Sequence, residues 1–436
     1  MIFLDPNVRK RAASKLKFGL HHPHCSTTKN RKFLTDVNIT LLKFLKVSMK
    51  KKIVIHDVGN AWMYRTQTWL YNEVTQLGEE WDSWAVTHRI ENWSEFPYDK
   101  VFSLKNDYNN RYLVEKILKK MGIVKQCPTI HHFIKKMQPD IIHSHFGNNG
   151  WANLGLAKSI GAKHVVSFYG MDVNYLPTKK RWINRYSQLF NQVDAVLCEG
   201  PHMGSKLEQL GCPSSKIKIY PLGIDLQKII FKQSSWRPNN PLRILMAASF
   251  VEKKGLPYAL EAIGQLIHER SDIDIQVTII GAVSKSKGSR QEFKKINKVI
   301  DQQNIRHYLA FKGYCDHKTL GQSATEHDVF MSPSVTAAHG DTEGGAPVTI
   351  IEMAAAGLPI ISTTHCDIPF VLGESNRKLL VAEREISSLF RVMSWLVDHP
   401  DEWNKIALEN RQHIESKFDI RHQGPALADI YNRLVP

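Results

Sequence analysis

The chain has 436 residues, enough for two hydrophobic cores, because a single core stops growing at roughly 250–300 residues. Its composition, 42% hydrophobic and 23% charged, is that of a globular protein, and with no uninterrupted apolar run of about 18 residues no membrane-spanning helix is expected. The net charge of +16 invites a nucleic-acid reading, but thirteen Lys and Arg against two Asp lie within the first 52 residues, which leaves +5 for the remainder and argues against nucleic acid.

In chain order, residues 1–48 are basic, His-rich and poorly periodic, and "MKKKIVIHDVG" from Met49 has the look of a native start. Residues 1–48 are therefore expected to be a mis-called extension or a disordered arm. Short β-branched runs then alternate with helical stretches: "KIVIHDV" (52–58) before a helix from about Thr66 to Leu77, "DIIHSHF" (140–146) before "WANLGLAKSIG", then "HVVSFYG" (164–170), "AVLCEG" (195–200) and "KIKIYPLGID" (216–225). His143 and His145, at a strand end, are expected on opposite faces. Residues 227–241, rich in Pro and Asn, are expected to be a linker.

A second series follows, with strands expected at 242–250, 275–283, 308–313, 329–334 and 359–364, each trailed by a helical pattern. Strand–helix alternation on both sides of a linker predicts two doubly wound, Rossmann-like α/β domains, over 49–226 and 242–420, facing each other across a cleft. A last helix, within 421–436, is expected to pack near the domain junction. The six cysteines are scattered without CxxC or metal-ligand spacing, and reduced thiols in a reducing compartment are expected.

The segment "HGDTEGGAPVTIIEMAAAGLP" (339–359) carries the most chemistry. Pro347 suits the first helical position, which puts Ala346, without a side-chain acceptor, at the N-cap. The N–H groups of Val348 and Thr349 are then expected to lack local partners and to offer an anion site, with Gly344 and Gly345 letting a ligand approach. Glu343 and Glu352 beside such a site are acceptors suited to hydroxyls, and phosphate flanked by hydroxyls describes a sugar nucleotide. The same pattern also describes a plain crossover with two solvated glutamates.

Four segments in order carry a family resemblance: "SFYGMDV" (167–173), "MGSKLEQLGCPSSKIKIYPLGID" (203–225), "ILMAASFVEKKGLPYALEAI" (244–263), and "FMSPS" (330–334) with "EGGAPVTIIEMAAAGLPIISTTHCDIPFVL" (343–372). Together they resemble the retaining family 4 (group 1) glycosyltransferases of GT-B fold, over about Lys51 to Leu434. The resemblance implies that Glu352 holds the ribose hydroxyls, that Glu343 faces the donor sugar with the Gly344 and Gly345 amides beside it, and that Lys254 pairs with the diphosphate. It places His145 near the anomeric centre, and Gln67, Thr68, Gly170 and Asp172 on the acceptor side. It also implies transfer without a divalent metal or other cofactor, with retention of configuration. The chain departs from the family in four places: one extra residue between Glu343 and Glu352, Ser249 where an arginine is usual, Tyr169 in place of a histidine, and "GAVSKSKG" (281–288) after the second strand of the second domain. Arg243 or another cation is expected to stand in for the missing arginine.

His339, Asp341, His365 and Asp367 are read as loop or lining residues with no metal-ligand spacing. Residues 119–137, "KKMGIVKQ" through "IHHFIKKM", are either a basic amphipathic face for anionic lipid or a solvated helix. The expectation is a cytoplasmic hexosyltransferase-type enzyme, also at the inner face of the membrane, moving a sugar from a nucleotide-diphosphate donor to a glycan or lipid-linked glycan in surface-polysaccharide assembly. The rivals are a non-catalytic sugar-nucleotide-binding subunit and another GT-B enzyme such as an epimerase. A dinucleotide oxidoreductase is disfavoured, because no GxGxxG follows residues 52–58.

Overall fold

A computed structural model describes residues 51–65, 67–233 and 236–436. The readings of residues 1–48 and of Thr66 fall outside it. Lys52–Pro436 forms one compact unit, built on two parallel sheets. The first contains β1 (Lys52–Gly59), β2 (Trp81–Thr87), β3 (Val101–Ser103), β4 (Ile141–His145), β5 (Lys163–Phe168), β6 (Ala195–Cys198) and β7 (Ile217–Ile219), in the order β3-β2-β1-β4-β5-β6-β7. The second contains β8 (Leu242–Ala247), β9 (Ile275–Ile280), β10 (Leu309–Gly313), β11 (Val329–Ser332), β12 (Ile360–Thr363) and β13 (Leu380–Val381), in the order β10-β9-β8-β11-β12-β13. Both orders reverse direction once, between β1 and β4 and between β8 and β11, and such switch points are where doubly wound sheets bind ligands.

Helices cover both faces of each sheet, so the central strands β4, β6, β11 and β12 are buried throughout, as their near-continuous apolar runs require. Three strands were not anticipated, among them the two-residue β13. β2, "WDSWAVT", is broken by Asp82 and Ser83, and β3 has only three residues, so neither shows a plain apolar run. The helix after β1, α1 (Thr68–Thr75), is shorter than expected. It is followed by α2 (Asn109–Lys120), α3 (Pro128–Met137), α4 (Gly147–Ile160), α5 (Lys180–Gln192) and α6 (Pro201–Gln209) in the first half. The second half adds α7 (Leu256–Glu269), α8 (Lys287–Gln302), α9 (His317–Glu326), α10 (Val348–Ala355), α11 (Ile386–Asp398) and α12 (Glu402–Lys417).

The final helix, α13 (Ile420–Leu434), fills the expected 421–436 segment and continues through Gly424 and Pro425. It crosses back to the first sheet, where Leu427, Ala428 and Tyr431 pack with Val54, Ile141 and Val165. Main-chain hydrogen bonds between Ile224 and Phe418 (2.8 Å) and between Ile420 and Ile224 (3.0 Å) lock this return. Among the described residues no helix is long and apolar enough to cross a membrane.

Candidate active site

The carboxyl ends of the two sheets enclose a cavity of about 490 Å³. One wall is built from loops of the second sheet: Ser249, Lys253 and Lys254 after β8, Gly281 and Ala282 after β9, and Glu343 after β11. The start of α10 contributes Pro347, Val348, Thr349 and Glu352. The facing wall carries Arg65, Gln67, Thr68 and Trp69 after β1, Tyr169 after β5 and Glu199 after β6.

Lys254 and Glu343 form an ion pair in this wall, Nζ to Oε2 at 2.9 Å, with side chains 16% and 6% exposed. Burial pushes the Glu343 carboxyl up, but Lys254 first and Lys253 next more than offset it, so its pKa lies below the ordinary value and the group is ionised at neutral pH. Ser334 Oγ donates to Glu343 Oε1 at 3.3 Å. The Glu343 main-chain N–H donates to His365 Nε2 at 3.1 Å, while His365 Nδ1 lies 2.5 Å from Glu383. His365 therefore orients the Glu343 backbone and does not line the cavity.

α10 starts at Val348, one residue later than expected, with Pro347 in a non-helical conformation at the N-cap (φ −56°, ψ 130°) and no side-chain cap. Val348 and Thr349 line the cavity, and no side chain caps the helix start. Glu352, one turn in, sits 3.6 Å from His317. Burial raises its pKa, with His317 opposing.

Other expected site residues lie elsewhere. Gly344 (φ +82°) packs backbone-to-backbone on Tyr169 and Gly170, so an added Cβ would overlap the Gly170 Cα, and a Cβ on Gly345 would overlap the Glu199 carboxylate. These glycines join the two halves and do not line the cavity. Asp172 is buried and accepts from the N–H groups of Tyr169 (3.0 Å), Gly170 (2.9 Å) and Gly147 (2.8 Å), which shapes the loop beneath Tyr169. His145 is fully buried behind Tyr169, its Nδ1 2.6 Å from the Tyr169 hydroxyl, and does not reach the cavity wall. The opposite-face expectation for His143 and His145 fails as well. Residues two apart on a strand share a face, and the ring centroids are 4.3 Å apart.

Arg243 does not replace the missing arginine, because it lies at the amino end of β8, exposed, its main-chain N–H donating to Asp328. Arg65, from the opposite wall, is the cation that sequence reasoning missed; its guanidinium lies 5.4 Å over the Tyr314 ring and pairs with Glu95 at 2.9 Å. Glu199 was also missed. It faces the cavity, and burial together with Asp367 and Asp172 pushes its pKa well above the ordinary value. Asp341 pairs with Lys253 at 3.3 Å, and Asp367 accepts from the His202 and Met203 N–H groups at the start of α6 (2.7 and 3.2 Å).

Two facing doubly wound domains with a charged cleft between their carboxyl ends define the GT-B class, and solved structures agree. Sucrose-phosphate synthase from Thermosynechococcus elongatus superposes with a TM-score of 0.66 over 88% of this chain and 99% of that one, at 14% identity. HepE of Anabaena, solved with UDP and glucose, gives 0.68 over 88% and 100%, at 12% identity. In sequence, the family described as glycosyl transferases group 1 matches residues 227–413, and glycosyltransferase family 4 matches residues 112–228. The amylovoran biosynthesis glycosyltransferase AmsK of Erwinia amylovora is 30% identical over 303 residues, 69% of this chain and 72% of AmsK. WcaL of Escherichia coli K12, assigned as a colanic acid biosynthesis glycosyltransferase, is 28% identical over 298 residues, 68% of this chain and 71% of WcaL. The chain belongs to the group 1, family 4 glycosyltransferases.

Proposed function

We propose that the protein transfers a sugar from a nucleotide-diphosphate donor to a hydroxyl of a growing exopolysaccharide, with retention of anomeric configuration. The observation that carries this reading is the Lys254–Glu343 ion pair beside the uncapped start of α10, at the switch point of the second sheet. Val348 and Thr349 N–H groups and Lys254 would take the diphosphate, Glu352 the ribose, Glu343 and Ser249 the donor end, and Arg65 the charge for which the family ordinarily supplies an arginine. Gln67, Thr68 and Glu199 would face the acceptor. These cations and amides would stabilise the departing nucleotide without a divalent metal at the transfer site. The exopolysaccharide assignments of AmsK and WcaL support the acceptor class. A lipid-linked glycan met at the cytoplasmic face of the membrane completes the proposal, and the exposed apolar side chains of α2 support membrane contact.

The test is a panel of nucleotide sugars, UDP-sugars first, screened by thermal shift and then incubated with lipid-linked glycan acceptors under mass spectrometry. A hexose-sized mass gain that depends on Lys254 supports the reading. Donor hydrolysis or epimerisation unaffected by every acceptor overturns it.

A further inference from the structure

We propose that the protein holds a zinc ion in a buried site formed by His56, Glu73, His143 and His145, separate from the donor cavity. The four residues come from three elements. His56 on β1 and His143 on β4 are register partners across the switch point of the first sheet, His145 follows two residues on, and Glu73 descends from α1. The three imidazoles are fully buried and Glu73 is 7% exposed. One ligand atom from each residue lies within 4.8 Å of the others. No linear spacing betrays this set, because strand pairing and not sequence brings it together.

The hydrogen bonds around the cluster turn its ligand atoms inward. His145 Nδ1 is taken by the Tyr169 hydroxyl at 2.6 Å, which leaves Nε2 facing His56 Nδ1 at 3.0 Å. His143 Nε2 is taken by Ser167 Oγ at 2.7 Å, and its Nδ1, 3.6 Å from Glu73 Oε1, holds the Tyr431 hydroxyl at 2.6 Å. Outer partners that fix the ring and tautomer of a histidine are what metal ligands ordinarily have. Two polar atoms of the cluster, His56 Nε2 and Glu73 Oε1, have no hydrogen-bond partner, although buried polar groups nearly always find one. A cation between Glu73 Oε1 and His143 Nδ1, 3.6 Å apart, answers the carboxylate.

Three imidazoles and one carboxylate suit zinc, which takes nitrogen and oxygen donors in tetrahedral geometry. With four protein ligands the shell is closed, which makes the ion structural. On binding, Glu73 gives up any proton it carries to solvent, and the Tyr431 hydroxyl, 2.6 Å from His143 Nδ1, turns aside into an outer position. The ion would clamp α1, β1 and β4, and through Tyr169 it would stiffen the cavity wall.

The experiment uses the full chain purified without a histidine tag. Metal content is measured by mass spectrometry, and cobalt(II) uptake by the chelator-treated chain is followed through its visible spectrum. Expected are roughly one zinc per chain, intense bands of four-coordinate cobalt, and a melting temperature lowered by chelation and restored by zinc alone. Glu73→Gln and His56→Gln should each weaken affinity by more than about tenfold. Lys254→Ala should retain the ion. A chain with His21, His22 and His24 all changed to Ala should also retain it, which separates this site from the His-rich stretch near Met1. If His56→Gln does not fold, Glu73→Gln and the parent chain decide. A parent chain that neither retains nor takes up zinc, or an ion kept by Glu73→Gln and lost with His21, His22 and His24, overturns the proposal and leaves a hydrogen-bonded polar core.

Discussion

Lys254 and Glu343 neutralise one another, so on the proposed reading donor binding would exchange an internal ion pair for one shared with the diphosphate. Removing Lys254 therefore has two consequences. Lys254→Ala is expected to slow transfer by about 2–4 kcal/mol, as for other charge-stabilising groups, and to raise the Glu343 pKa, because burial then acts with less opposition. Rates measured across pH check both, and a parent-like rate would remove Lys254 from the machinery. Glu352→Gln is expected to weaken binding of the free nucleoside diphosphate in calorimetry, whereas Glu343→Gln should leave that binding nearly intact and lower turnover. Glu199 gives a separate pH signature. Its folded pKa is raised, so the stability linked to its proton is complete below the ordinary glutamate range and is lost as pH rises toward the folded value. Glu199→Gln should flatten the fall in melting temperature between pH 5 and 8, where one proton contributes a slope of at most about 1.4 kcal/mol per pH unit. An unchanged pH profile would mean that Glu199 is solvated.

Among the elements, α2 runs against the usual pattern. Its one buried residue is Glu115, which accepts from the Thr129 N–H at 3.0 Å and from the Thr129 hydroxyl at the start of α3. Leu113, Val114, Ile117 and Met121 face outward, between 47% and 69% exposed, among Arg111, Lys116 and Lys120. An outward aliphatic face with a basic surround suits an anionic bilayer. Replacing Leu113 and Ile117 with Glu is expected to abolish sedimentation with phosphatidylglycerol vesicles while leaving the melting temperature within a few degrees. Vesicle binding that survives would assign the face to something else. The sequence singled out residues 119–137 as basic and amphipathic and favoured a solvated helix there, while the exposed face of α2 went unread, since periodicity alone does not tell which face is buried. Legibility elsewhere followed the same rule. The β8–Lys254 turn and the Glu343–α10 segment could be read because a strand, a glycine and a charge stand together in sequence. β2 and β3 were missed because neither shows a plain apolar run, and the cavity role of Arg65 because the residues it faces lie far along the chain. The reach of His145 was misjudged because only the fold puts Tyr169 in front of it.

At the scale of the molecule, the halves meet through small groups that leave no room for growth. Asn174 donates to Thr342 at 2.7 Å, Asp367 of the second half caps α6 of the first, and Gly344 lies on Gly170. Gly344 is the most constrained of these contacts. Its φ of +82° disfavours any side chain, and a methyl there would overlap the Gly170 backbone, which has no flexible end to yield. Two responses are open to Gly344→Ala. The chain can keep its closure and bear the strain, at a cost of order 1–3 kcal/mol in stability. Alternatively, the second half can swing away from the first on the 227–241 connection and the return of α13, which frees the methyl and widens the cleft. Because the uncapped helix start, Lys254 and Glu352 belong to the second half and only Arg65 to the first, opening should weaken nucleoside diphosphate affinity no more than Arg65→Ala does in the closed chain, while transfer falls by more than tenfold, the near-attack geometry being lost. Small-angle scattering with and without donor separates the two responses: a larger radius of gyration in Gly344→Ala that contracts on donor binding marks opening. An unaltered radius with a lower melting temperature marks strain, and parent-like stability, radius and rate together would mean that the halves are not held closed through Gly344.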